Sequence, residues 1–417
     1  MSLSLDSYIP ELVRDKISPK GYETLAKVKK FVEEECIPAD EVYFKQLSND
    51  PTKRWTEVPP IIEDLKAKAR KLGLWNMFLA GYKDGPGFTN LEYGLMAQFL
   101  GRSHVAPEAT NTNAPDTGNM ELFAKYANEE QRAKWLVPLL NGEIRSAFLM
   151  TEKGISSSNA LNISLKAEKT SQGREIVLNG TKWFASGAGD PRTSVWLVMA
   201  KTTPESENPY KRHSVIVIDA KKALKTGNAK IIRPLHVFGF DDAPHGHCEV
   251  QFNNLKVPFD LLDKEGEGFT LIQSRLGPAS NREIFGKLFI TKELFINDVA
   301  ERRIELERIK LLVLEAALKI DLVGSKKAKK EISIAKIDAP RTVGKIIDWA
   351  IQVYGAEGVS QDTPLTKLFM SARMLRIADG PDEAHLNQLG KAEAKKSKDI
   401  NELYSKIYAK TKRLSKI

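Results

Sequence analysis

Cysteine is nearly absent: among 417 residues only Cys36 and Cys248 occur, far apart and without metal-ligand spacing. This excludes a disulfide framework and a zinc site and points to a reducing compartment. No uninterrupted apolar stretch is long enough to span a bilayer, so no transmembrane segment is expected. The opening residues, MSLSLDSYIPELVRDK, lack the apolar run of a signal peptide and the Arg-rich, acid-poor character of a transit peptide. GxGxxG and the P-loop pattern are both missing, which argues against a nicotinamide enzyme or an NTPase. No basic stripe interleaves with aromatics, so no nucleic-acid partner is expected.

What is present is typical of a globular protein: 42% hydrophobic and 28% charged residues. The net charge is +9, and +6 of it sits in the last 27 residues, Lys391 to Ile417. A solvated terminal helix and a contact with an acidic surface both fit that tail. The last three residues, Ser415-Lys416-Ile417, resemble the Ser-Lys-Leu peroxisomal address with Ile for Leu. The expectation is a peroxisomal protein, with a cytoplasmic or mitochondrial location as the alternative.

The pattern changes twice along the chain, which predicts an α+β fold. Residues 1–145 read as an N-terminal helical domain. Its segments Tyr22–Glu35, Pro60–Lys71, Leu91–Leu100 and Asn128–Leu139 carry apolar residues near helical spacing, and Gly73 is a candidate C-terminal cap. Residues 146–260 read as a central β-barrel or sandwich domain. Its short runs Ser146–Met150, Glu175–Leu178, Val195–Ala200, Ser214–Ile218 and Cys248–Phe252 are bounded by Asn179-Gly180 and Asn253-Asn254, read as turns. Residues 261–390 read as a C-terminal helical bundle containing Ile304–Ala317 and Ile332–Tyr354, and 391–417 as a basic tail. His236, His245 and His247 gather in a Gly/Pro-rich stretch, but only Cys248 joins them at ligand spacing, so no metal is expected.

Five fragments carry chemistry when taken in order. They are Ala147-Phe148-Leu149-Met150-Thr151-Glu152; Asn179 to Gly187, containing Trp183-Phe184-Ala185-Ser186; Arg282-Glu283-Ile284-Phe285-Gly286-Lys287; Gln352 to Gly358; and Ala378-Asp379-Gly380-Pro381-Asp382-Glu383-Ala384-His385. Their order and separation resemble the acyl-CoA dehydrogenase family, from about Gly73 to His385. The run Ala114 to Met120, Ala-Pro-Asp-Thr-Gly-Asn-Met, resembles one branch of it in particular. The resemblance implies FAD as cofactor and α,β-dehydrogenation of an acyl-CoA thioester to a trans-2-enoyl-CoA in fatty-acid oxidation. It implies an electron-acceptor flavoprotein or oxygen as partner, and a homodimer or homotetramer.

Residue by residue, the resemblance places Phe148, Met150 and Thr151 at the flavin ring. Phe184, Ala185 and Ser186 fall beside the isoalloxazine, and Ser186 near N5. Arg282 and Phe285 match residues reaching a neighbouring subunit's cofactor. Gln352, Gly355 and Ala356 match a segment near the diphosphate, and Pro381, Asp382 and Glu383 positions lining the cofactor. Ser158, Arg275 and Gly380 match substrate positions. Asp379 matches the base that takes the α-proton, where most members have Glu and this branch has Asp. An Asp-Gly pair alone marks a turn; the upstream motifs make it a candidate base, a role that suits a carboxylate of raised pKa.

The sequence departs from the family pattern at Lys153, Asn159, Phe184, Ala356 and Leu386. Between Arg275 and Arg282 only six residues intervene, where the family has a long helix. The bundle is therefore expected to lack one helix. A flavin-binding or scaffold relative with impaired catalysis stands as the alternative to the enzyme.

Overall fold

The computed structural model describes residues 4–153, 160–273, 293–354, 357–359 and 363–414. The chain divides into two compact units, Met1–Leu288 and Phe289–Ile417. The expected missing helix falls between residues 274 and 292, outside the described residues.

In the first unit the helices start and stop where the sequence supplies caps. Ser18 accepts from the Gly21 amide ahead of Pro19–Phe31, and Thr89 forms a capping box with Glu92 on Asn90–Leu100. Gly73, at φ 75°, closes Ile61–Leu72 in the left-handed conformation that glycine adopts without strain. Glu92 also accepts from the Ser18 amide and hydroxyl, so one buried carboxylate ties two helix N-termini together.

Eight strands follow: β1 (Arg145–Leu149), β2 (Lys166–Lys169), β3 (Glu175–Ser186), β4 (Thr193–Lys201), β5 (His213–Asp219), β6 (Ala229–Leu235), β7 (His247–Pro258) and β8 (Leu261–Leu262). They form one mixed sheet in the order β6-β7-β3-β2-β4-β5-β8, with β1 parallel to β4. Trp196 on β4 meets Phe252 on β7 edge-on at 6.2 Å, although β3 and β2 separate these strands in the hydrogen-bonded order. The sheet therefore folds over on itself, which is how the expected barrel or sandwich is realised.

Strand β4 is buried on both faces, as its unbroken apolar run requires. Trp196, Val198 and Ala200 join Ile176, Leu178, Val250 and Phe252 inside the folded sheet. Val195, Leu197 and Met199 pack instead with Phe78, Leu79, Phe123, Trp135 and Leu136 of the helical segment. Helices and sheet thus share a core and make one unit.

Three expectations are corrected. Asn179-Gly180 and Asn253-Asn254 are not turns; they face each other within the β3–β7 ladder, at a register shift between Leu178 and Gly180. The Asn254 amide donates to the Asn179 side-chain oxygen at 2.8 Å, so a side chain takes the place of a missing ladder bond. Gly180 has φ 141°, and a Cβ there would stand 2.6 Å from a Leu165 methyl, which is why this position needs glycine. Next, residues 261–273 go with the sheet and not with the bundle: β8 pairs with β5, and Gly268–Gln273 packs on β5. Finally, the boundary at 391 falls inside one continuous helix, Asp382–Leu414.

The second unit contains helices Glu293–Val323, Lys329–Tyr354, Leu365–Leu375 and Asp382–Leu414 among its described residues. Lys329–Tyr354 packs against each of the other three. Ile347, Ala350, Leu365 and Ala372 form its small core with Trp349, Tyr354 and Phe369 against them. No helix among the described residues is long and apolar enough to cross a membrane.

Candidate functional site

Strand β1 ends at Leu149, and the next three residues are fixed by a buried ion pair. Glu152 accepts from the Ser164 amide (2.9 Å) and hydroxyl (2.6 Å), the Leu165 amide (2.9 Å) and Lys182 Nζ (2.8 Å). Lys182, fully buried, also donates to the Met150 carbonyl at 2.9 Å. Burial pulls the Lys182 ammonium down to about 8 against the opposing pull of Glu152. Burial would raise the Glu152 carboxyl, but Lys182 and the hydrogen bonds outweigh it and hold the group below its ordinary value.

Opposite this strand end, β3 carries a second irregularity. Lys182 pairs with Val250 and Ala185 with Cys248, leaving Trp183 and Phe184 as an extra step in the ladder. A bulge of this kind re-aims side chains. The Trp183 amide donates to the Thr151 carbonyl at 2.8 Å, tying the bulge to the end of β1. Phe184 sits at φ 51° and remains 36% exposed, a large ring held out of the core. It touches Trp183 (4.7 Å between centroids) and His247 (5.5 Å). Ser186 Oγ lies 2.8 Å from His247 Nδ1. Burial lowers the His247 pKa, Asp242 opposes this and His245 adds to it, so the imidazole is favoured in its neutral form.

Beneath the start of β1 lies a network of buried charges. Asp116 accepts from the Ser146 amide (2.7 Å) and hydroxyl (2.5 Å) and forms an ion pair with Arg145, whose Nε lies 2.8 Å from Oδ2. Asn119 donates to the Ser146 hydroxyl at 2.8 Å, and His245 Nε2 lies 3.1 Å from the Ala114 carbonyl. Glu108 meets Arg145 (3.0 Å), Lys66 (3.3 Å) and Arg192, which also pairs with Asp190 at 2.7 Å. Burial alone would raise the carboxyls of Glu108 and Asp190. The surrounding cations override it and hold both well below the carboxylate range. His245 and His247 therefore serve different partners, and no cluster of metal-binding side chains forms among the described residues.

In the second unit, Asp379 and Gly380 lie between helices at φ 53° and 100°. Asp379 is exposed. Two side chains hold the backbone of this turn: His385 Nε2 lies 3.4 Å from the Asp379 carbonyl, and Lys336 Nζ lies 3.4 Å from the Gly380 carbonyl and 2.5 Å from that of Leu375. Asp382, 2% exposed, accepts from Arg341 Nε (2.8 Å) and Arg376 Nε (2.9 Å). Glu383 and Gln352 are exposed, and Pro381 is half-buried.

Three family models match in succession: the N-terminal domain of acyl-CoA dehydrogenases over residues 22–143, the middle domain over 147–255 and the C-terminal domain over 270–394. The chain belongs to the acyl-CoA dehydrogenase family. FadE2 of Mycobacterium tuberculosis, described as a probable acyl-CoA dehydrogenase, is 42% identical over 82% of this chain and 87% of its own. IBR3 of Arabidopsis thaliana, described in the same words, is 42% identical over 91% of this chain but 51% of its own. Acyl-CoA dehydrogenase family member 11 of Gallus gallus is likewise 42% identical, over 90% of this chain and 51% of its own. The chain thus spans about half the length of these last two relatives. A solved structure from Mycobacterium abscessus, described as an acyl-CoA dehydrogenase, superposes with TM-score 0.83 at 36% identity, covering 91% of this chain and 99% of that one.

Within this acyl-CoA dehydrogenase fold, the first unit ties Met150 and Thr151 to the β3 bulge through Lys182 and the Trp183 amide, with Phe184 and Ser186 following on the same strand. Phe148 instead packs in the core shared with the helices, and Ala185 in the interior of the sheet. The second unit brings Asp379, Gly380, Pro381, Asp382 and Glu383 into one turn and the helix start that follows it, with Gln352 in the last turn of another helix. Ser158, Arg275, Arg282, Phe285, Gly355 and Ala356 lie outside the described residues. Sequence reasoning missed Lys182 and Lys336, and it took His247 only as part of a possible metal cluster. The pairing of His247 with Ser186 depends on the β3–β7 register, which no local pattern announces.

Proposed function

We propose that the chain is an FAD-dependent acyl-CoA dehydrogenase that converts an acyl-CoA thioester to a trans-2-enoyl-CoA, with Asp379 as the base. The observation that carries this is the β3 bulge. It presents a half-exposed aromatic ring, Phe184, and a hydroxyl, Ser186, next to the backbone of Met150 and Thr151. A flat ring system with polar edges fits such a surface: Phe184 would pack against it, and the Ser186 hydroxyl and strand-end backbone groups would supply its hydrogen bonds. When bound, FAD supplies the acceptor for the hydride leaving the substrate's β-carbon.

The remaining work falls to the chain's own residues. Asp379 takes the α-proton, which the thioester acidifies. Its one-methylene side chain needs a close approach, and the left-handed Asp379-Gly380 turn carries it as an exposed side chain. Lys336 and His385 hold that turn through its carbonyls, so the backbone that carries the carboxylate is in place before substrate arrives. Because Asp379 is exposed, the desolvation that turns a carboxylate into an effective base comes with the bound thioester. Lys182 and Glu152 keep the strand end at Met150 and Thr151 in place. The relatives' names support an acyl-CoA substrate, and fatty-acid oxidation is part of the proposal.

The test uses purified protein loaded with FAD under anaerobic conditions and a panel of acyl-CoAs. The visible flavin band should bleach with at least one member. Asp379→Asn should retain FAD and lose bleaching by about three orders of magnitude or more in rate. Equal bleaching by that variant removes Asp379 from the mechanism. Protein that takes up no FAD overturns the flavin reading and leaves the scaffold relative in its place.

A further inference from the structure

The flavin reading leaves one question at Ser186. A serine hydroxyl rotates, and a freely rotating donor orders a ligand poorly. Ser186 and His247 are cross-strand partners in the β3–β7 register, so their side chains leave the same face of the sheet. Their polar atoms meet at 2.8 Å. The imidazole is itself held by the ring of Phe184.

We propose that His247 is a positioning residue for Ser186: its Nδ1 fixes the hydroxyl so that the remaining hydrogen-bonding capacity of Oγ is aimed at bound flavin. This rests on the flavin reading above and deepens it. A hydroxyl has one donor hydrogen and two acceptor sites. With hydrogen on His247 Nδ1, the imidazole donates to Oγ and leaves the serine's own hydrogen for an acceptor atom on the ligand. With Nδ1 bare, the serine donates to the ring and leaves its lone pairs for a ligand donor. One neutral imidazole thus supports either polarity, which suits a ligand atom that is an acceptor in one redox state and carries hydrogen in the other. Burial of the ring keeps it in the neutral form this needs. A metal-ligand role for His247 would require neighbours that the described residues do not provide.

The experiment is FAD titration of apoprotein for the wild type, Ser186→Ala, His247→Leu, His247→Asn and the double variant Ser186→Ala/His247→Leu. Each of Ser186→Ala and His247→Leu should weaken FAD binding by about fivefold, the worth of one hydrogen bond, and shift the visible flavin band. The double variant should bind no more weakly than Ser186→Ala alone, because His247 acts through Ser186. His247→Asn, whose amide can stand where Nδ1 stands, should restore binding and spectrum. Losses that add in the double variant overturn the proposal, as does an Asn variant no better than Leu. In the apoprotein, Ser186→Ala should also move the His247 ring-nitrogen NMR signal. An unmoved signal overturns the proposal even if the Leu variant fails to fold. Wild-type protein that binds no FAD removes the flavin reading itself, a result unlike any of these.

Discussion

Glu152 and Asp379 are acidic residues from two signature fragments, and their surroundings are opposite. Glu152 is 5% exposed and accepts four hydrogen bonds, one of them from a fully buried lysine. Asp379 is exposed, sits in a left-handed turn, and is held through its backbone carbonyl and not through its carboxylate. A carboxylate whose lone pairs are all used by the fold has none left for chemistry. One whose backbone alone is held keeps its oxygens available. Asp116 and Asp382 are likewise buried and paired with arginines, although Oδ1 of Asp382 accepts no hydrogen bond. The motif acids thus divide into buried ones that the fold uses, Glu152, Asp116 and Asp382, and exposed ones, Asp379 and Glu383.

The sharpest test of that division is Asp116→Ala. It strips Arg145 and the Ser146 amide of their buried acceptor, and breaking such a pair costs about 3–5 kcal/mol. The loss should show as a drop of roughly 5 °C or more in the melting temperature of the chain. A melting point close to wild type would place Asp116 outside the framework.

The Glu152–Lys182 pair makes a prediction in pH. The Lys182 pKa falls from 10.5 to about 8 on folding, so between those values the unfolded chain binds the extra proton and the folded chain does not. Stability contributed by this site therefore rises with pH across that window and is flat below it. The wild type should gain stability relative to Lys182→Met between pH 8 and 10.5, measured by urea unfolding. Parallel curves would mean that the ammonium is not desolvated. Acid acts in the other sense on Glu108 and Asp190. Their folded pKa values are depressed, so their contribution is present above the ordinary carboxylate pKa of about 4 and is lost as pH falls below it.

A smaller effect is expected at Gly180. Gly180→Ala puts a methyl group against Leu165 at a φ that L-residues rarely adopt. The cost should be about 1–3 kcal/mol, read from the urea midpoint. This residue also shows where the sequence misleads. Asn-Gly flanked by β-like runs is the strongest short-range hairpin signal, yet here it faces Asn253-Asn254 in mid-ladder. Both pairs are irregular for one shared reason, and that reason is a contact 75 residues away. Local signals fared better where the cause was local: Gly73 as a cap, the start of a helical segment at Asn128, whose side chain caps it, and the apolar run of β4. The family motifs marked stretches of chain and did not say which residues hold the framework. Ala114 to Met120 reads as a signature, and its physical content is a clamp on the first residues of β1.

The smallest expected effect is the most informative. Asp379→Asn removes a charge from an exposed side chain and keeps its size, and Asn tolerates the left-handed conformation as readily as Asp. The backbone contacts from His385 and Lys336 use carbonyls that the substitution leaves in place. Lys336 loses a favourable charge, but it keeps Asp382 as the other acid that supports its ionised form. Stability should therefore stay within about 0.5 kcal/mol of wild type, while substrate-driven bleaching is lost. A residue that holds the fold loses stability and activity together, and a residue that only does chemistry loses activity alone. If Asp379→Asn melts several degrees lower, the carboxylate is part of the framework after all, and the contrast with Glu152 disappears.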